Sequence, residues 1–275
     1  MIVPLFTAAL AAAQFTSRVS VIEVYATVSD AHGEPVTGLS GSNFHVSEDG
    51  APQTISTFFA GDFPLSVVVA LDRSFSMSGE KLTLAKRAAR LFVAELKPDD
   101  EVAVLAIGSE VETIVPAAPA KAAAVAAVDA IEPWGTTPLY DVIASSLELP
   151  YTQTKRRALL VVSDGFDRYS DTTPADLVDR ARRANVLVYP VAIGKARPPL
   201  LAELASVTGG RSFIVDDPKK LDATLGTIAR ELRAQYMLGY SPSRPTADEA
   251  AWHAIDVAVD RPGARVRARD GYYGR

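Results

Sequence analysis

An open α/β sheet inserted within a small β-sandwich is the architecture this sequence predicts, on three observations. Near-continuous apolar runs recur at 65–71, 102–107, 158–162 and 186–193, the pattern of strands buried on both faces of a sheet. Between these runs apolar residues fall at helical spacing. The two ends of the chain carry instead short segments of two-residue alternation, too few at either end to bury a face alone, so the ends are expected to pair with each other.

Ile22, Val24, Ala26 and Val28 alternate with Glu23, Tyr25 and Thr27, which predicts a half-buried strand over 21–28. Asp30 to Gly33 and Pro35 make a turn. Phe44 and Val46 alternate in a second strand, Glu48-Asp49-Gly50 has hairpin chemistry, and the chain returns over 55–59. After the buried run at 65–71, Leu84, Ala88, Leu91, Phe92 and Leu96 form one helical stripe that ends before Pro98. Further helices are expected over 120–131, 139–148, 174–183, 199–206 and 221–232, with Gly209-Gly210 closing the one over 199–206. From Arg233 onward the strand period returns, in Tyr236, Leu238 and Tyr240, then in Ile255, Val257 and Val259. Arg261-Pro-Gly263 then turns the chain into Val266 and Ala268.

The expected organisation is a leader over 1–13, the first part of the sandwich over 18–60, the α/β unit over 64–233 and the second part of the sandwich over 234–275. The leader is an apolar stretch ending in Ala11-Ala-Ala13, similar to a secretory signal although no Lys or Arg precedes it. Cleavage after Ala13 and export to the periplasm or the extracellular space are the expectation, and a cytoplasmic location follows if the leader is not a signal. No later stretch reaches the ~20 apolar residues of a membrane span.

Hydrophobic residues at 48% and charged residues at 22% are the proportions of a globular protein. A formal charge of -5 supplies no basic face for phosphate, which argues against nucleic acid as a partner. The absence of cysteine excludes disulfides, thiolate metal sites and a cysteine nucleophile.

Ligands of open α/β sheets gather beyond the carboxyl ends of the strands, and three loops fall there. The first carries Asp72, Ser74 and Ser76 directly after the run at 65–71; the second is Trp134-Gly-Thr-Thr137-Pro-Leu-Tyr-Asp141; the third is Ser163-Asp164-Gly165. Together they offer two carboxylates and several hydroxyls, with no nitrogen or sulfur donor, a set suited to a hard divalent cation. Taken alone, an Asp-x-Ser-x-Ser segment also serves as a turn or helix cap. Phe75, Met77, Trp134 and Tyr140 surround this centre and form a candidate apolar rim for a partner.

These residues resemble the von Willebrand factor type A domain, whose metal-ion-dependent adhesion site joins an Asp-x-Ser-x-Ser loop, a Thr and a later Asp. The flanks, with Pro35-Val-Thr-Gly-Leu39, Phe44-His-Val-Ser-Glu-Asp-Gly50, Tyr236-Met-Leu-Gly-Tyr240 and 266–273, look like those of a bacterial family related to it. The resemblance implies a Rossmann-like, mostly parallel sheet with helices on both faces. It further implies a metal, usually Mg²⁺ with Mn²⁺ or Ca²⁺ as alternatives, held by Ser74, Ser76 and Thr137, with Asp72 and Asp164 binding directly or through water. One departure stands out: the second loop reads Gly135-Thr136-Thr137 where such domains often read Gly-Gly-Thr.

Two carboxylates balance a dication while the remaining donors are neutral, so the ion keeps an attraction for a further anionic oxygen. The expected function is therefore metal-dependent protein binding of the adhesion type, through a partner's Glu or Asp, and not catalysis. An enzyme finds little support, since His32, His45 and His253 all lie in the β-segments and no Gly-x-Ser-x-Gly or phosphate-loop motif is present. The alternatives are a cytosolic scaffold subunit of an ATPase or metal-chelating complex, a module with a vestigial site, and a Mg²⁺-dependent phosphatase using Asp72. By the same resemblance, the last helix is expected to couple to the metal loop.

Overall fold

The chain opens with four short strands, β1 (Ile22–Ser29), β2 (Phe44–Glu48), β3 (Ala51–Gln53) and β4 (Ile55–Gly61). Strands and helices then alternate. In order these are β5 (Leu65–Asp72), α1 (Glu80–Glu95), β6 (Glu101–Ile107), β7 (Val111–Ala118), α2 (Lys121–Ala130), α3 (Leu139–Leu147), β8 (Arg156–Ser163), α4 (Pro174–Ala184), β9 (Leu187–Ile193), α5 (Pro199–Thr208), β10 (Phe213–Val215) and α6 (Leu221–Arg233). Four more strands follow, β11 (Gln235–Tyr240), β12 (Trp252–Val259), β13 (Arg265–Arg267) and β14 (Gly271–Tyr273). This computed structural model describes residues 21–109, 111–149, 152, 154–196, 198–243 and 250–274, so the leader expected over 1–13 lies outside the described residues.

The middle strands form one six-stranded sheet in the order β10-β9-β8-β5-β6-β7. All neighbours are parallel except the edge strand β7, which runs antiparallel to β6. Every residue of β5 is buried, and its side chains divide between two cores. Val67, Val69 and Leu71 pack with Leu82, Phe92, Leu225 and Ile228 beneath α1, α2 and α6. Val68 and Ala70 pack with Leu139, Ile143, Leu177 and Leu204 beneath α3, α4 and α5. The continuous apolar runs of the sequence thus have the cause expected of them, helices covering both faces.

Two strands of this sheet, β7 and β10, are not among the elements expected from the sequence. β10 has only three residues, and β7 contains Pro116, which a strand interior rejects but an edge strand accepts.

The remaining strands form two antiparallel sheets, β13-β1-β11-β4 and β14-β12-β2-β3. Each mixes the two ends of the chain: β1 pairs with β11 in the register Val24↔Leu238, and β2 pairs with β12 in the register Val46↔Val257. Val24, Ala26, Phe44, Val46, Leu238 and Ile255 fill the core between them. Tyr240 of one sheet and Tyr272 of the other both donate to the buried Glu48, at 2.7 and 2.9 Å. Burial and that carboxylate push both phenols well above their ordinary range. β12 and β13 do not form a hairpin, since β13 leaves to pair with β1.

The α/β unit departs after β4 and returns through α6 directly into β11, and β4 and β11 are themselves paired from Gln235↔Gly61 onward. At this junction Glu231 of α6 is fully buried and receives two guanidinium groups, Arg211 at 2.6 Å and Arg267 of β13 at 2.6 Å. Arg233 of α6 pairs with Asp62 and Asp100. Among the described residues no helix is long and apolar enough to cross a membrane.

Removing the Glu231 carboxylate leaves two clustered guanidinium groups without their counter-charge. Glu231→Ala is expected to lower the unfolding free energy by about 3 kcal/mol, measured by urea denaturation; a change within ~0.5 kcal/mol, the size of a neutral surface substitution, would show that the triad does not fasten the junction.

Candidate metal centre

β5 leads through α1 to β6 on one side, while β8 lies on its other side, so the carboxyl ends of β5 and β8 flank the point where the strand order reverses. Asp72 is the last residue of β5, and Asp164 follows the last residue of β8. The crevice that the topology opens there is lined by the first and third loops.

Asp72 is completely buried. One carboxylate oxygen accepts the Ser74 backbone N–H at 2.8 Å, which folds the Asp-x-Ser turn, and the other accepts the Ser163 hydroxyl at 2.6 Å. Ser163 in turn accepts the Gly165 N–H at 3.0 Å, so a single hydroxyl ties β5 to the third loop. Burial raises the Asp72 carboxyl above the usual range, partly opposed by the hydrogen bonds from Ser163 and Ser74, and nearby Asp164 pushes in the same direction as burial. Ser74 is buried while Ser76 is exposed, and their hydroxyls are 3.1 Å apart.

The second loop is stitched to both others. Trp134 N–H donates to Arg73 O at 2.7 Å, Phe75 N–H to Gly135 O at 3.2 Å, and Arg168 N–H of the third loop to Thr137 O at 2.7 Å. Thr137 is buried within this stitching, whereas Thr136 is exposed and hydrogen-bonds Ser109 at 3.1 Å through its backbone. The departure from Gly-Gly-Thr is therefore accommodated by turning the Thr136 side chain outward. Gly135 keeps the demanding position, since its φ is +79° and a Cβ there would lie 2.5 Å from Ser109 N.

Most of this α/β unit matches the sequence profile of the von Willebrand factor type A domain, over residues 66–227. The chain belongs to the von Willebrand factor type A domain family. No curated protein matches it significantly. Solved structures share the fold. A von Willebrand factor type A protein from Catenulispora acidiphila is 16% identical with a TM-score of 0.55, covering 94% of this chain and 75% of that one. BatB from Bacteroides thetaiotaomicron is 20% identical with a TM-score of 0.50, covering 62% and 100%. Proximal thread matrix protein 1 from the mussel byssus, in a form with a zinc-occupied MIDAS motif, is 16% identical with a TM-score of 0.56, covering 67% and 49%.

Around the type A centre the exposed apolar side chains coincide only in part with those the sequence singled out. Phe75 and Trp134 are exposed, Trp134 partly stacked beneath the Arg73 guanidinium at 5.1 Å. Met77 does not reach the rim: it is fully buried in the core beneath α1. Tyr140 is half-buried against the other core. The third loop supplies Phe166 and Tyr169 instead, 64% and 82% exposed. Tyr169 adopts a left-handed φ of 69°, unusual for a residue with a side chain.

The donors available to a cation are all oxygens, carrying two negative charges, which fits a hard dication. A cationic group already answers that charge. Lys81 of α1 donates to Ser76 O at 3.0 Å, and its ammonium lies 3.9 Å from Asp164. In the cluster of Glu48, Asp49 and His253, Glu48 already accepts from the two tyrosines and Asp49 lies 2.8 Å from His253 Nδ1.

Two outcomes follow from this electrostatic arrangement. For an acid whose folded pKa is raised, the charged form is the costly one, so the cost appears as pH rises through that pKa. Asp72→Asn is expected to raise the melting temperature of the metal-free protein at pH 7, with the gain shrinking toward acid pH; a lower melting temperature across the whole range would contradict the burial argument. Lys81→Met removes a positive charge that competes for Asp164, so Mg²⁺ titrated by calorimetry should bind about tenfold more tightly, and equal affinity would show that the ammonium is a bystander.

Proposed function

We propose that the protein is a divalent-metal-dependent binding module of the adhesion type, in which an ion at the carboxyl end of the sheet receives a Glu or Asp side chain from a protein partner. Ser74, Ser76 and Thr137 would hold the ion directly, and Asp72 and Asp164 directly or through water. The observation that carries this reading is the linkage of three loops, tied to one another by backbone and Ser163 hydrogen bonds, around two carboxylates beside the paired hydroxyls of buried Ser74 and exposed Ser76.

Absence of nitrogen and sulfur donors from this set favours Mg²⁺, with Mn²⁺ or Ca²⁺ next, over the zinc of the mussel protein. Bound there, the ion supplies Lewis acidity toward one more anionic oxygen. Asp72, with one hydrogen bond from Ser74 and one from Ser163, holds the loop in shape and keeps further lone pairs for the ion or its water, while Ser76 stands at the exposed side. Phe75, Trp134, Phe166 and Tyr169, exposed on the three loops, would give a partner apolar surface to bury around its carboxylate. Type A domains generally bind and do not catalyse, and the reading follows that usage. Export, to the periplasm or beyond the cell, accords with the apolar leader of the sequence.

Calorimetry with Mg²⁺ tests the centre: Asp72→Ala is expected to weaken binding at least about tenfold, and binding equal to wild type would remove the basis of the reading. A pull-down from an extracellular fraction then tests the partner. Capture should require Mg²⁺, vanish in chelator and fall on replacing Phe75 and Tyr169 by Ala, whereas capture indifferent to metal would point to a vestigial site.

A further inference from the structure

A groove of about 650 Å³ opens beside the candidate centre, between the loop after β8 and the loop after β9. Phe166, Tyr140, Pro198 and Pro199 provide apolar walls, and Asp164 lines it as well, so groove and cation centre share a side chain. Gly165 sets the width. Its φ is +84°, and a Cβ there would lie 2.7 Å from the Pro198 ring, so only glycine lets the two loops approach this closely. The loop is also fastened from within: the Asp167 carboxylate accepts the Tyr140 N–H at 3.1 Å and the Ser170 hydroxyl at 2.6 Å.

We propose that this groove takes a large apolar side chain, preferably aromatic, adjacent in sequence to the partner's acidic residue. The proposal rests on the metal-dependent reading above and adds to it the class of partner sequence. A carboxylate directed at the centre arrives beside Asp164, and its neighbours along the chain are about 3.8 Å away per residue, within reach of the groove. An acidic neighbour would meet Asp164 and Asp167 there, with Lys195 as the cation among the described lining residues and the Lys81 ammonium already 3.9 Å from Asp164. A neutral apolar one would cover Phe166, which is 64% exposed, against the two proline rings. The groove therefore selects an acidic residue flanked by an aromatic one over an acidic pair.

The test uses the full chain and two synthetic Gly-Ser peptides, one with a central Glu-Phe and one with a central Glu-Gly, followed by amide chemical shifts in Mg²⁺ and in chelator. Glu-Phe is expected to bind about tenfold or more tightly than Glu-Gly in Mg²⁺. Ala196→Phe, which fills the groove from an exposed position, should abolish that difference while calorimetric Mg²⁺ binding stays unchanged. Equal affinity of the two peptides, or a preference that survives Ala196→Phe, overturns the groove assignment. With Mg²⁺ still bound, the metal-dependent reading would remain intact. A Phe preference that persists in chelator supports the groove and counts against the carboxylate reading. Failure of both peptides to bind while Mg²⁺ does bind overturns the proposal.

Discussion

The hydroxyl of Ser163 and the buried carboxylate of Asp72, 2.6 Å apart, hold the ends of two neighbouring parallel strands in a fixed relation, and the geometry of the whole centre follows from that contact. Parallel pairing carries β5 and β8 side by side up to Leu71 and Val162. Beyond those residues the ladder stops, and the side-chain bond takes over the task of keeping the loops together. A carboxylate placed out of water at this point is costly by itself, which is why both its oxygens are committed to donors. The sheet accepts that cost at the one place where its strand order reverses and a crevice must exist.

From that fixed pair the other loops are built outward by backbone groups, not by side-chain choice. Trp134, Phe75 and Arg168 each donate an N–H across a loop boundary, so the second loop is placed by hydrogen bonds that any residue could make. These hydrogen bonds use none of the side chains of Phe75, Phe166 and Tyr169. Phe75, Phe166 and Tyr169 can stand in solvent, where an apolar ring gains nothing until something covers it.

Much of this was legible before any coordinates. Apolar runs such as 158–162 and 186–193 announced strands covered on both faces, and the Asp72, Ser74, Ser76 spacing announced a turn at the end of a strand, where the Asp72 carboxylate accepts the Ser74 N–H. The pairing of the two chain ends was also readable, because neither set of alternating strands could be stable alone. What escaped were features decided by neighbours. β10 is too short for a period, and β7 carries a proline that only an edge position tolerates. Met77 sits two residues from Phe75, yet the short helical turn from 75 to 77 directs one into the core and the other into solvent. Phe166 and Tyr169 had no pattern at all, since the exposure of a single aromatic depends on the path of its loop.

The α/β unit leaves the sandwich after β4 and re-enters it at β11, and those two strands are hydrogen-bonded neighbours. Both tethers of the unit therefore reach the sandwich at one corner. A mechanical load applied at the carboxyl end of the six-stranded sheet would arrive at this corner through both tethers together. It would be resisted by the antiparallel ladder and by the Glu231 clamp instead of stretching a flexible linker.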